Sequence, residues 1–116
     1  MSDPGRRRVR GSTTGRPIMA LLDLLGRRWT LRIVWELRNG PLSSRALREA
    51  CSDVSPTVLQ ARLTELRGAA LVRLAPGEGY ALTALGCEMS AALSPLLAFS
   101  DRWDVALAQD GGPGPD

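Results

Sequence analysis

The stretch Ser55-Pro56-Thr57-Val58-Leu59-Gln60-Ala61-Arg62-Leu63-Thr64-Glu65-Leu66-Arg67-Gly68 decides the fold. Ser-Pro is a strong helix start, because a serine oxygen can accept a first-turn N–H and proline already holds a helical φ. At 100° per residue, Leu59, Leu63 and Leu66 fall within about 60° of one another, a stripe that asks for burial. Thr57, Ala61 and Thr64 lie on the far side, with Gln60 beside them. A helix is therefore expected over Pro56–Arg67, ended by Gly68, with a small polar face turned outward. Any surface helix has a polar face, so its neighbours must decide what this one is for.

Upstream, a short helix is expected from about Ser44 to Ala50, with a serine available as cap and Ala46 and Leu47 facing inward. The turn Cys51-Ser52-Asp53-Val54 joins it to the helix above. Before that, a helix from about Arg28 to Arg38 stops at Asn39-Gly40-Pro41. Trp29, Ile33, Val34 and Leu37 share one of its faces, while Leu31 and Trp35 lie nearly opposite. A helix apolar on two sides touches its own core and something more, and a second subunit is one candidate. The first helix runs from Pro17 to about Gly26, with Ile18, Leu21, Leu22 and Leu25 at helical spacing.

Downstream, Leu71-Val72-Arg73-Leu74 and Tyr80-Ala81-Leu82 bracket Pro76-Gly77-Glu78-Gly79, which reads as a hairpin. Thr83 then caps a last helical region in which Leu85, Met89, Ala92, Leu96, Phe99, Trp103 and Ala106 alternate by four and three residues. That is a coiled-coil-like seam, widened by Leu93 and Leu97. Pro95 within it should kink the helix or split it in two. The whole order is mainly α with a small β-hairpin and matches a winged helix-turn-helix.

Composition narrows the chemistry. The chain has 116 residues, one domain's worth, with 44% hydrophobic residues and a net charge of +3. It contains no histidine, and all 15 basic residues are arginine. An imidazole base, a Ser-His or Cys-His nucleophile pair, a Schiff-base lysine and a P-loop lysine are thereby excluded. No identifiable carboxylate pair takes their place, so no catalytic residue, cofactor or metal site is expected, and the chain is read as not an enzyme. The longest charge-free stretch, Met89 to Ser100, is too short and too polar to span a membrane. No signal peptide is apparent, and two distant cysteines, Cys51 and Cys87, suit a cytoplasmic thiol state, with both read as small core residues.

Charge is placed unevenly. Residues 1–16 carry five arginines against one aspartate, or +4, whereas 101–116 carry one arginine against four aspartates, or −3. Residues 1–15 read as a disordered basic arm, 16–108 as the folded unit and 109–116 as a disordered tail. The arm either enters a minor groove beside the main site or is a solvated tail.

On these elements the polar face of 56–67 acquires a use. Thr57, Gln60, Ala61 and Thr64 are small enough to approach base edges in a DNA major groove, and Ala61 or a threonine methyl can meet a thymine methyl. Arg62 and Arg67 are read as flanking that face and reaching phosphates. Ser55 and the free N–H groups of the helix start can hold a further phosphate.

Several segments resemble the HxlR family: Leu21-x-x-Leu24-Leu25-Gly26-Arg27-Arg28-Trp29-Thr30-Leu31, Gly40-Pro41, and Ser55-Pro56-x-Val58-Leu59-x-x-Arg62-Leu63-x-Glu65-Leu66. Gly68-x-x-Leu71-Val72-Arg73, Tyr80-x-Leu82-Thr83-x-x-Gly86 and Pro95-Leu96-Leu97 with Trp103 add to the likeness, in order, over nearly all of 17–103. The resemblance implies a bacterial winged-helix transcription regulator of MarR-like architecture that binds double-stranded DNA as a homodimer through its terminal helices. Three departures stand out. A Cys-Pro pair common in the family is Arg16-Pro17 here, so a sensing cysteine at that place has no residue to carry it. The hairpin is short and has Glu78 at its tip. Basic residues often found where Thr57 and Thr64 stand are missing, which puts the basic reach on Arg62, Arg67, Arg45, Arg48 and the arm.

Winged-helix regulators commonly hold a flat aromatic effector between the DNA-binding unit and the dimer helices, and Trp29, Trp35, Phe99 and Trp103 are candidates to line such a pocket or simply to pack. The expected function is a sequence-specific regulator on a pseudo-palindromic operator. The alternative is a repurposed winged-helix protein that binds or converts a small aromatic metabolite without binding DNA.

Overall fold

Three helices of the chain start at a hydroxyl residue whose oxygen accepts an N–H from the first turn. Ser43 accepts from Ala46, Ser55 from Val58 and Thr83 from Gly86, each bond worth about 1 kcal/mol to the helix it opens. A computed structural model of the chain describes residues 16–52 and 54–110. The elements are α1 (Pro17–Leu25), α2 (Thr30–Glu36), α3 (Ser44–Cys51), α4 (Pro56–Gly68), β1 (Val72–Ala75), β2 (Gly79–Leu82) and α5 (Ala84–Gln109). The basic arm at 1–15, Asp53 and most of the expected tail, 111–116, lie outside the described residues.

The core lies where α2, α3 and α4 meet the hairpin. Ile33, Val34 and Leu37 of α2 and its exit, Leu47 and Cys51 of α3, and Leu59, Leu63 and Leu66 of α4 are all buried together. Val54, Leu71, Val72 and Leu82 complete the cluster. Burial of each large side chain contributes roughly 1.5–3 kcal/mol relative to exposure. The leucine stripe of α4 thus faces inward as its spacing predicts, and this leaves Thr57, Gln60, Ala61 and Thr64 in solvent.

The hairpin is antiparallel, with Val72 opposite Leu82 and Ala75 opposite Gly79. Glu78 N–H donates to the Ala75 carbonyl at 2.8 Å and closes the turn. A third segment joins it. Leu42 and Tyr80 exchange both backbone hydrogen bonds, at 2.9 and 2.8 Å, so the loop before α3 is stitched to β2. Gly79 makes this possible, because its φ of +101° is left-handed and a Cβ there would overlap the Leu42 carbonyl.

Three boundaries or bends differ from those read in the sequence. Helix α2 does not start at Arg28: Trp29 takes a left-handed φ of 77° and serves as N-cap, so regular helix begins at Thr30. Its other end is Glu36, with Leu37 to Asn39 continuing as turn. Helix α4 does end on Gly68, and the left-handed turn beyond it falls on Ala70 (φ 64°), where Leu71 N–H reaches back to the Leu66 carbonyl at 3.0 Å and the Thr83 hydroxyl holds the Ala70 carbonyl at 2.7 Å. Pro95 does not split α5, which is one element of 26 residues. Pro95 and the position one turn earlier, Ala91, both sit on exposed helix surface. Water can therefore take up the carbonyl that loses its N–H partner.

Helix α5 joins the core through its first two turns. Gly86 is buried there, and a Cβ on it would overlap the Leu71 carbonyl oxygen. Beyond Met89, which packs on the core, the apolar seam is open: Leu96, Phe99 and Trp103 are exposed, as are Ile18 and Leu22 on α1. The outer face of α2, Leu31 and Trp35, is exposed as well.

Candidate nucleic-acid interface

The reading face of α4 borders a shallow open concavity lined by Pro56, Thr57, Gln60, Ala61, Thr64 and Glu65. A second concavity, between α3 and α4, is lined by Ser44, Arg45, Arg48, Pro56, Leu59 and Gln60. The two share Pro56 and Gln60, so the arginines of α3 stand beside the neutral face of α4. Ser55 opens α4 with its hydroxyl committed to Val58 N–H at 3.1 Å, leaving backbone N–H groups of the first turn for an anion.

Each charged residue can now be placed. Arg45 is highly exposed and 3.6 Å from Glu49 one turn on; so exposed a pair restrains it weakly. Arg48 and Arg67 are exposed and make no ion pair among the described residues. Arg67 lies about 80° around α4 from Thr57, near Gln60, at 100° per residue. Gln60 is not wholly free, since its amide N–H donates to the Tyr80 hydroxyl at 3.4 Å. That contact ties the reading face to the hairpin. Tyr80 was not anticipated as a site residue, and only its position opposite Leu42 brings it there.

Arg62 is a correction. It does not flank the reading face. Its Nε donates to the Arg28 carbonyl at 3.1 Å, and its Nη1 donates to both Glu65 oxygens at 2.7 and 2.8 Å. The angular position explains this: five residues from Thr57 is about 140° around the helix, beside the leucine stripe. Glu65, about 80° from Thr57 on the other flank from Arg67, lies at the edge of the concavity and is met by Arg62 and, at 3.8 Å, by Arg27.

The aromatic set is dispersed. Trp29 is half-buried against the core, and Trp35 carries the Arg38 guanidinium 3.6 Å above its ring. Phe99 and Trp103 are exposed on α5. Neither concavity described above is lined by any of the four, so the single chain does not assemble them into those hollows. The cysteines differ from each other: Cys51 is core, whereas Cys87 is exposed, against the expectation that both pack inside. Burial pushes the Cys51 thiol above its ordinary range; Arg32 pulls it down and Glu36 up, both more weakly. Among the described residues no cluster of acidic or cysteine side chains could hold a metal ion, and no helix is long and apolar enough to cross a membrane.

No curated protein matches the chain. Solved structures do. Quinone-bound YodB from B. subtilis superposes with a TM-score of 0.69 at 28% identity, covering 73% of this chain and 96% of that one. A possible HxlR family transcriptional factor from Thermoplasma volcanium GSS1 gives 0.68 at 31% identity, covering 77% and 85%. A MarR-family regulator from Enterococcus faecalis V583, at 23% identity, 0.66 and coverage of 85% and 98%, shares the fold. The family model for the HxlR-like helix-turn-helix matches residues 24–107. With five helices and an antiparallel hairpin among the described residues and α4 in the recognition position, the chain belongs to the HxlR-like helix-turn-helix family of DNA-binding transcription regulators.

Proposed function

We propose that the protein is a sequence-specific regulator that binds a pseudo-palindromic operator as a homodimer and catalyses no reaction. One observation carries this reading: α4 turns Thr57, Gln60, Ala61 and Thr64 to solvent, with Arg45 and Arg48 of α3 bordering one side and Arg67 the same flank. Small neutral side chains let the helix approach base edges, while the arginines meet the backbone on the side where phosphates would pass. The exposed apolar residues of α1 and α5 support pairing of two copies, which would set two α4 helices about one helical turn of DNA apart.

An aromatic effector is the natural class of ligand. The resemblance to a quinone-bound regulator supports it, and so do the tryptophans and phenylalanine on α2 and α5. Their pocket would have to be completed by the partner copy, because the single chain leaves Phe99 and Trp103 open.

Selection of bound sequences from random duplexes tests the reading, followed by titration of the recovered site at several salt concentrations. An inverted repeat with a steep salt dependence is expected. A verified dimer that binds no duplex at low salt, yet quenches its tryptophan fluorescence with an aromatic ligand, would favour the repurposed metabolite binder. The acidic, short hairpin tip at Glu78 is the feature that motivates that second reading.

A further inference from the structure

The linker between α1 and α2 ends in a backbone conformation that needs fastening. Trp29 holds a left-handed φ of 77° without being glycine, and α2 starts on it with no side-chain cap. The next residue, Thr30, is fully buried, and its hydroxyl has no partner among the described residues. Such conformations persist only where the surroundings hold them. What holds this one comes from α4.

Arg62 reaches out of α4 to the carbonyl of Arg28, the peptide immediately ahead of Trp29. Its other end is gripped by both oxygens of Glu65, which also faces Arg27 across 3.8 Å. The Arg62 side chain is only 20% exposed, so these charge-assisted bonds are partly shielded from water. On the far side of the same linker lies α1, whose Ile18 and Leu22 are exposed. The cluster is thus a joint between a helix with an unpartnered apolar face and the helix that reads DNA.

We propose that Arg62 is a positioning residue and not a DNA contact: with Glu65 it locks the angle between α4 and α1, and so, in the dimer, the separation of the two reading helices. Phosphate contacts fall to Arg45, Arg48 and Arg67. The inference rests on the DNA-binding reading above. Two physical points favour it over a phosphate role for Arg62. Swinging the guanidinium to DNA would break three hydrogen bonds at once. It would also weaken the neutralisation of Glu65, leaving a carboxylate at the edge of the reading face beside a polyanion.

The test compares the full-length wild type with Arg62→Ala, Glu65→Gln, the double variant and Arg67→Ala. For each, affinity for a selected operator duplex is measured over a range of salt, together with its tolerance of altered half-site spacing. Arg62→Ala and Glu65→Gln should each weaken operator binding on the order of tenfold, and the double variant no more than the worse single, because one interaction is being removed. The slope of log K against log salt should stay at the wild-type value, while Arg67→Ala flattens it by about one. Both clamp variants should also accept half-site spacings the wild type rejects, which a mere loss of stability would not produce.

The proposal is overturned if Arg62→Ala flattens the slope by about one. It is equally overturned if Glu65→Gln, which keeps the side-chain shape, binds as well as or better than wild type. Should Arg62→Ala fail to fold, Glu65→Gln decides alone. A wild type that binds no duplex at low salt sinks the DNA reading and this inference together, whereas a binding wild type with the second pattern sinks only the inference.

Discussion

The unit of α2, α3, α4 and the hairpin is built from the same kind of leucine spacing as the terminal helices, and the two end in opposite conditions. Leu59, Leu63 and Leu66 on α4 are buried against α2, α3 and β1. Leu22 on α1 is 54% exposed, and Leu96 and Trp103 on α5 are 58% and 56% exposed. Periodicity announces that a face wants covering, but says nothing of whether the cover belongs to the same chain. On α4 the polar remainder is left in solvent, whereas on α1 and α5 it is the apolar residues themselves that are left there. A contiguous apolar surface of this kind marks an association site, and the four-three spacing from Leu85 to Ala106 suits a second helix.

Substituting matched residues in the two regions separates them, and the largest effect belongs to the core. Leu63→Ala, at a position with no exposure, should lower unfolding free energy by about 2–5 kcal/mol in urea titrations. Leu96→Ala should change the intrinsic stability of the chain by no more than about 0.5 kcal/mol. Equal losses from both, independent of protein concentration, would erase the contrast. Next comes the junction. Gly86→Ala must push the start of α5 off the Leu71 carbonyl, a strain of about 1–3 kcal/mol that should lower the melting temperature in calorimetry. A variant as stable as wild type would mean that α5 is not anchored through its first turn.

A smaller effect is expected from Trp103→Ala, whose cost should appear in association and not in folding. Sedimentation at graded concentrations should show the dimer weakened by about tenfold, or 1.4 kcal/mol. An unaltered dimer would move the interface away from the distal half of α5, and the second condition of these apolar stripes would need another partner.

The legible and the hidden parts of the molecule divide along the same line. Local signals carried far: Ser55-Pro56, the leucines at 59, 63 and 66, Thr83 and the Pro-Gly turn all act within a few residues, and each element they imply is present. What depended on distant contacts stayed hidden. Nothing near Leu42 reveals that it pairs with Tyr80, and no local rule puts a tryptophan in left-handed backbone or shows that Arg62, 33 residues later, bonds the carbonyl before it. Arg62 lies on the same line: at about 140° from Thr57 it sits beside the leucine stripe, and its guanidinium bonds the Arg28 carbonyl and Glu65, contacts that spacing alone does not announce. The four aromatics line neither of the two concavities, and helical spacing does not say which side chains from separate helices meet.

The two cysteines make the smallest and sharpest test of the contrast. Cys51 lies in the core of the first region and Cys87 is exposed on α5. Desolvation raises the Cys51 thiol, outweighing the nearby Arg32, so the thiolate that reacts with alkylating agents is scarce in the native protein. Modification of Cys51 should therefore follow unfolding, slowing in step with added stability and accelerating in urea, while a Cys51→Ala chain shows no such phase. The linkage has a definite sign. A folded-state pKa above the unfolded one means that the unfolded chain ionises first, so Cys51 adds stability at neutral pH that is lost as pH climbs from the ordinary thiol range towards the raised value. Urea midpoints measured from neutral to alkaline pH should fall more for wild type than for Cys51→Ala. Rapid labelling of Cys51 in the native state, or a pH dependence indifferent to its removal, would put this residue among the exposed groups and break the division between a closed head and open terminal helices.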